Sequence, residues 1–411
     1  MKYKYANYKY HGKNINNLGD HIQVWTIDYL YKCMGIDKKD IVYIDIDELK
    51  TYDGPSVKLP VSLPLINYCE NGIAGMFSEK IEPVFFGLTM PRKTLMPQEV
   101  EYYKRHQPIG CRDEQAYNTL KKYNIEAYLG GCLTVALPKR DESEKKYEKI
   151  FIVDIPEKLK EHIPKEIEKE AVYGTHIYYD YIENPSELSL EKYKTYWNDA
   201  KLVITGLLHA SIPCLAFGIP VILARDYISY RFAWTEALLP LYNTSNYDEI
   251  DWNPKSIEIE NHKDVIKKLF SKRMKNDDST EEIRILHDFY MNRKKNQYCN
   301  DVFLDIQNFI DTNWIDKNKR YEYAVWGLTQ MAELTVEYIS ENYPNAILTN
   351  VYDKKEGLTL RGKEAISPEF IAENCNETVF VTTVSAANVA EEYFKRIGKH
   401  PNMYKTLKII R

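Results

Sequence analysis

Long apolar runs are missing from this 411-residue chain, and no stretch approaches the length of a membrane span, so a membrane-spanning helix is excluded. Paired cysteines are missing as well. The seven present (Cys33, Cys69, Cys111, Cys132, Cys214, Cys299 and Cys375) are odd in number, widely spaced and mostly set in apolar runs, with no CxxC pair. That pattern excludes a disulfide framework and a thiolate zinc site, and it implies buried thiols in a reducing compartment. No cluster of histidine and acid residues has metal-ligand spacing, so no metal is expected. Charge of one sign is not in excess: 55 basic and 60 acidic residues are interspersed, for a formal net charge of -5, which argues against a nucleic-acid partner. No signal-peptide pattern precedes the first polar segment. The expected location is cytoplasmic, with association at the inner face of a membrane and homo-oligomer formation left open. No repeat of solenoid period is visible.

What is present is length, tyrosine and alternation. A chain this long implies two or three domains. The 34 tyrosines, four of them in the first ten residues, fit either a compositional bias or stacking of aromatic faces on sugars, and composition does not separate the two. Short strands and helices alternate from the N-terminus: Lys2 to Tyr10, a helix from His21 to Cys33, strands at Ile41 to Ile46 and Pro83 to Gly87, then helices near Gln98 to Arg105 and Asp113 to Tyr123 separated by the strand Pro108 to Cys111. This pattern predicts an α/β class with parallel sheets. The polar stretch Lys139 to Lys149 marks a boundary, after which strands at Ile150, Ala171, Leu202 and Val221 repeat the pattern, and amphipathic helices span Asn261 to Met274 and Thr280 to Trp314. Three domains are expected, 1–140, 141–317 and 318–411. In the last, the turn after the strand Tyr323 to Gly327 keeps one of the three glycines of a dinucleotide fingerprint, with Asp353 at the spacing of a ribose-binding acid. The two missing glycines favour a structural or assembly role over a nucleotide site.

Chemistry is expected at the corners where strands run into helices, because free backbone amides there attract anions. The strongest corner is Thr205 to His209, between the strand Leu202 to Thr205 and a short helix from Ser211 to Phe217 that Gly218 ends and Pro220 stops. His209 stands there among apolar neighbours. A second corner, Asn14 to His21, holds Asn17, Gly19 and Asp20; Asp20 is placed to cap the helix, and a carboxylate stabilised there suits a base better than an acid. At a third, Arg112 follows the strand Pro108 to Cys111 and can grip a carboxylate or phosphate, while Asp113 caps the next helix. Gly130, Gly131 and Cys132 form a further glycine-rich corner. His176, after Gly174, reads more readily as structural than catalytic. Arg225 and Arg231, after the strand Val221 to Ala224, can face the same cleft.

The order of these corners resembles the polysaccharide pyruvyl transferase family over about residues 10 to 310. The matching stretches are Asn17 to Gln23, Val84 to Gly87, Ile109 to Asp113, Gly130 to Leu133 and, most specifically, Thr205 to His209 running into Ala216 to Ile222. The resemblance implies a GT-B-like architecture of two Rossmann-like domains facing a cleft, with the C-terminal part as a small Rossmann-like α/β module. It implies transfer of a pyruvyl group from phosphoenolpyruvate to two hydroxyls of a sugar, free or lipid-linked, as a cyclic ketal, with no cofactor beyond that donor. Family members hold the donor with an arginine matching Arg112 and an Arg-Leu-His triplet matching Leu207, Leu208 and His209. The triplet's arginine is Leu207 here, which removes roughly 1.5 to 3 kcal/mol of charge-assisted binding unless Arg225 or Arg231 replaces it. On this reading His209 protonates the methylene carbon of the donor and Asp20 activates a hydroxyl, while Arg112, Leu208, Asn17, Gly19, His176, Arg225 and Arg231 complete the substrate site. Two other readings stay open: a glycosyltransferase using a nucleotide sugar, and a noncatalytic sugar-binding or assembly subunit, which the leucine at 207 favours.

Overall fold

The computed structural model describes residues 4–10, 17–62, 76–90, 94–141, 147–178, 184–226, 228–244, 246–292, 306, 309–328, 330–354, 357, 359–371, 377–382, 384–398 and 404–406. The chain divides into two compact units, Met1–Asn296 and Gln297–Arg411. Among the described residues no helix is long and apolar enough to cross a membrane.

The first unit holds two parallel sheets. Its first half runs β1 (Lys4–Lys9), α1 (Leu18–Cys33), β2 (Ile41–Asp45), β3 (Val57–Val61), β4 (Ile81–Phe85), α2 (Pro97–Arg105), β5 (Ile109–Cys111), α3 (Glu114–Lys122) and β6 (Ala127–Leu129). The strands pair in the order β2-β1-β3-β4, all parallel, and β5 pairs with β6. An isolated parallel bridge between Leu88 and Cys111 links the two ladders. Strand β3 is absent from the sequence reading because Lys58 and Pro60 interrupt its apolar pattern. Both residues are buried: the Lys58 ammonium donates to the Arg273 carbonyl at 2.9 Å and to the Asn276 side chain, so a lysine is tolerated inside a sheet that excludes water. Gly110 lets the strands close up, since a Cβ there would lie 2.7 Å from the Phe85 carbonyl oxygen.

The second half runs β7 (Lys149–Val153), α4 (Lys165–Glu170), β8 (Ala171–Gly174), α5 (Pro185–Asp199), β9 (Ala200–Thr205), α6 (Leu208–Ala216), β10 (Val221–Ala224), α7 (Tyr230–Ala233) and β11 (Leu241–Tyr242). These strands form a parallel sheet in the order β11-β10-β9-β7-β8. Its central strands read as continuous apolar runs because helices cover both faces, and Ile150, Ile152, Ile204 and Ile222 meet in one core with Leu159 and Tyr247. Helices α8 (Glu260–Lys275) and α9 (Thr280–Met291) then cross back to the first sheet. Arg273 donates to the carbonyls of Phe85 and Pro108, and His287 accepts the Leu129 amide at 3.1 Å. The expected continuation of helix toward Trp314 falls largely on residues 293–305 and 307–308, outside the described residues.

The second unit contains β12 (Glu322–Trp326), α10 (Gln330–Asn342), β13 (Ile347–Tyr352), the hairpin β14 (Thr359–Leu360) and β15 (Lys363–Glu364), β16 (Thr378–Val381), α11 (Val384–Arg396) and β17 (Tyr404–Thr406). Its parallel sheet has the order β13-β12-β16-β17 over a core of Ala324, Trp326, Val379, Val381 and Phe394. Asp353 accepts the Leu328 amide at 2.8 Å, so this acid closes the turn after β12 instead of standing open to a ribose. Counted in order of appearance, and setting the hairpin aside, all three sheets place the second strand outside the first and the third on its other side. Each therefore has a reversal between its first and third strands, the place where open α/β sheets form a crevice at their carboxyl edges.

Candidate functional site

The reversals of the first unit are followed by α1 after β1 and α6 after β9, and the starts of these two helices touch. Asn17 caps α1 by accepting the Gly19 amide at 3.0 Å, and the Leu18 amide donates to the His176 carbonyl at 2.9 Å, fastening α1 to the second half. Gly19 permits the contact itself: a Cβ there would lie 2.7 Å from Cβ of His209. Gly19→Ala is accordingly expected to destabilise the protein by about 1 to 3 kcal/mol through overpacking against backbone-anchored atoms. A urea unfolding midpoint equal to that of the parent would show that the two helix starts do not meet this closely.

His209 is the second residue of α6, which begins at Leu208, three residues earlier than the sequence pattern indicates. Leu207, extended at φ −107° and ψ 136°, is the N-cap position. Pro213 sits inside this helix and has no amide for the carbonyl four residues back, that of His209; the Tyr193 hydroxyl donates to that carbonyl instead. The imidazole is gripped on both sides, with Nδ1 3.9 Å from Oδ1 of Asp20 and Nε2 3.9 Å from Sγ of Cys132. Burial, then Arg112, Arg231 and His176, push its pKa well below the usual 6.5, so the resting ring is neutral.

Asp20 behaves differently from the expectation set by its place at a helix start. Burial pushes its pKa up to about 6, outweighing the lowering by Arg112 and Arg231. Its side chain keeps 21% of its surface exposed, which places it at the mouth of the cluster. The folded carboxyl holds its proton to about pH 6, whereas the ordinary value is 3.8. Between those values the folded state binds more protons, so stability falls as pH rises through that window, and the full cost is present above it. Asp20→Asn is expected to raise stability at pH 8 by on the order of 1 to 3 kcal/mol, and the gain should shrink toward zero near pH 4. Denaturant melts at the two pH values measure this. An equal gain at both would rule out ionisation of Asp20 as its cause.

Arg112 is fully buried, although a solvated surface ion pair is the simplest reading of its sequence context. Its Nη2 donates to the Gln23 side chain at 2.8 Å and to the Ser62 carbonyl, while Nε and Nη1 have no hydrogen-bond partner among the described residues. Arg231, half-buried on α7, likewise has an unpartnered Nε, and burial together with the neighbouring Arg112 guanidinium lowers its pKa. A buried guanidinium with idle donors is costly in the absence of an acceptor. Asp113 caps α3, accepting the Ala116 amide at 2.9 Å and the Thr89 hydroxyl; burial raises its pKa to about 6 against the pull of both arginines.

Not every expected site residue joins this cluster. His176 is completely buried, bonded through Nε2 to the Tyr196 hydroxyl at 2.9 Å and stacked on that ring, and burial lowers its pKa to about 3. It stands as a neutral histidine that carries α1 on its carbonyl and holds its ring on Tyr196. Arg225 donates to the Gly206 carbonyl at 2.5 Å and lies 4.1 Å over the Phe232 ring, bracing the turn before α6, so Arg231 is the cation that faces the cluster. Leu208 is buried at the helix start, and Asn17 and Gly19 build the corner. Three members were not singled out from sequence. Cys132 and Gln23 lay inside motifs noted for other reasons, and Thr89 carried no local signal.

Against known proteins, a family model described as polysaccharide pyruvyl transferase matches residues 17–227, just over half of the chain. No curated protein matches. A solved structure described as a functional uncharacterized protein, KP1_0663 from Klebsiella pneumoniae subsp. pneumoniae NTUH-K2044, is 15% identical over 54% of this chain and 84% of that one, at a TM-score of 0.30, too low to bear on fold or function. The matched span runs from the cap of α1 through Arg112 and Cys132 to the residues just after β10, and so contains both helix starts of the cluster: the chain belongs to the polysaccharide pyruvyl transferase family.

Proposed function

We propose that the protein transfers a pyruvyl group from phosphoenolpyruvate to two hydroxyls of one sugar in a polysaccharide precursor, free or lipid-linked, forming a cyclic ketal. The observation that carries this reading is the pair of guanidiniums, Arg112 and Arg231, which keep unpartnered nitrogens and whose charges both act on His209 and Asp20. Two fixed cations and the amides at the start of α6 suit a small ligand bearing both a carboxylate and a phosphate. Arg231 takes over the charge that Leu207 lacks. The two sheet-bearing halves of the first unit then face each other across a GT-B-like cleft, with the second unit, Gln297–Arg411, as a separate module of structural or assembly role.

The resting electrostatics set the order of proton movements. Near pH 7 the neutral His209 and the ionised Asp20 hold no proton to give to carbon. The arriving anion favours protonation of the His209–Asp20 pair, so donor binding takes up one proton from solvent, which rests on the His209 ring and leaves Asp20 ionised as the base. His209 then protonates the methylene carbon, and one hydroxyl, relieved of its proton by Asp20, which returns that proton to the ring, attacks the adjacent carbon. Phosphate leaves with both bonding electrons of the C–O bond, and the second hydroxyl closes the ketal, giving up its proton to the departed phosphate. Arg112 and Arg231 neutralise the charge that develops on the departing phosphate. Phosphoenolpyruvate enters as a substrate, and no cofactor is needed for this proton balance.

The test is to incubate purified protein with phosphoenolpyruvate and a panel of nucleotide-linked and lipid-linked sugars, following phosphate release and the mass of the sugar. Release with a ketal mass shift is expected. Neither signal across the panel, with thermal stabilisation by a nucleotide sugar but not by phosphoenolpyruvate, would sink the proposal in favour of glycosyl transfer.

A further inference from the structure

The imidazole of His209 stands in a chain of polar contacts that does not depend on any substrate. The Thr134 hydroxyl donates to Sγ of Cys132 at 3.2 Å. With its sulfur accepting from one side, the thiol has its own proton to place, and the near acceptor is Nε2 of His209 at 3.9 Å. Cys132 and Thr134 are both fully buried, so water does not compete for either bond. On the opposite edge of the ring Nδ1 faces Asp20.

We propose that Cys132 is a positioning residue that, in the resting protein, donates its thiol proton to Nε2 of His209 and so leaves the ring proton on Nδ1, the nitrogen that faces Asp20; when donor binding charges the ring, the second proton goes to Nε2, the thiol turns to accept from it, and Nδ1 is the nitrogen that gives its proton away. Neutral imidazole has one donor and one acceptor nitrogen, and the bond made at one fixes the role of the other. The chain has a direction: Thr134 O–H to sulfur, sulfur S–H to Nε2, Nδ1–H toward the Asp20 carboxylate. Each step uses a different donor, and no group is asked to donate twice. The sulfur does not touch the reacting atoms. Its role is to keep the ring from turning over and to keep Nδ1 on the side where Asp20 lies. The catalytic part of this inference rests on the pyruvyl-transfer reading, whereas the tautomer itself does not.

The experiment uses the full chain labelled with 15N-histidine. Nine histidines are present, and the His209 signals are identified by their loss in His209→Gln. Two-bond proton–nitrogen spectra at neutral pH are expected to show Nδ1 protonated and Nε2 unprotonated. Cys132→Ala is expected to release the ring into a mixture of tautomers. Cys132→Ser, which keeps an O–H donor, should restore the parent pattern. In the transfer assay Cys132→Ala should lower kcat on the order of tenfold or more, with KM for phosphoenolpyruvate little changed and recovery in the serine variant. A parent spectrum with the proton on Nε2, or a Cys132→Ala spectrum identical to the parent, overturns the inference. If no transfer activity is found at all, the spectra still decide the tautomer, so failure of the proposed reaction and failure of this contact are told apart.

Discussion

Arg231→Leu is expected to weaken phosphoenolpyruvate binding by roughly 10- to 150-fold, the equivalent of losing about 1.5 to 3 kcal/mol from one charge-assisted contact. The argument starts from Leu207. Position 207 is the N-cap of α6, half-buried, with no side-chain hydrogen bond to the helix. A leucine there brings no charge to a site that must hold a multiply charged donor. Arg112 alone leaves that charge half-matched, and Arg225 is already bonded to the Gly206 carbonyl. Arg231 has the buried, unpartnered nitrogen and feels Arg112, Asp20 and Asp113. If it replaces the missing cation, then Leu207→Arg in the parent should not tighten binding, because a third guanidinium would face two unrelieved like charges. In the Arg231→Leu background the same change should recover most of the loss. Calorimetric titration of the four proteins with phosphoenolpyruvate measures the cycle. Additive effects at the two positions would mean that they serve separate sites.

How much of this was visible beforehand depended on whether a residue's role is set by its neighbours in the chain. Strand β9, strand β10 and the glycine stop of α6 were legible because apolar runs and Gly218 act locally, and Gly218 does adopt the left-handed φ of +81°. Asp113 as a cap was legible for the same reason. Strand β3 was not, since what makes Lys58 acceptable there is Glu82 on the neighbouring strand together with the Arg273 carbonyl and Asn276, more than two hundred residues away. The start of α6 was misplaced because residues 207 to 210 look like a loop until Tyr193 is seen supplying the hydrogen bond that Pro213 cannot. The start of α1 alone implies that the Asp20 carboxylate is stabilised, and burial shifts its pKa the other way. His176 and Arg225 were offered to the site on spacing, which does not reveal that Tyr196 and Gly206 already hold them. Residue types at the corners were thus foreseeable, whereas their partners, and with them their roles, were set by the meeting of α1 and α6.

His209→Ala is expected to lower kcat by on the order of 10²- to 10⁴-fold, the usual contribution of a positioned acid, with a much smaller change in KM for phosphoenolpyruvate. The split follows from the charges. At rest His209 is neutral, held so by burial and by two arginines, and contributes little Coulomb attraction to the incoming anion. It becomes an acid only when the donor's charge arrives, so its contribution falls on the chemical step. Proton uptake gives an independent reading of the same residue. Calorimetry of phosphoenolpyruvate binding near pH 7.5, in buffers of different ionisation enthalpy, should show protons taken up by the parent and fewer by His209→Ala. Asp20→Asn should also take up fewer, because the ring then loses the carboxylate that favours its charged form. The two variants differ in where the remaining proton can go. With His209 gone, Asp20 can still be protonated but has no ring beside it to pass the proton on. With Asp20 gone, His209 can still charge but has lost the carboxylate that faces its Nδ1 at 3.9 Å. The double variant should therefore be no slower than His209→Ala alone, as for residues that act as one unit. A double variant slower by the product of the two single losses would mean that His209 and Asp20 serve separate steps and do not share a proton.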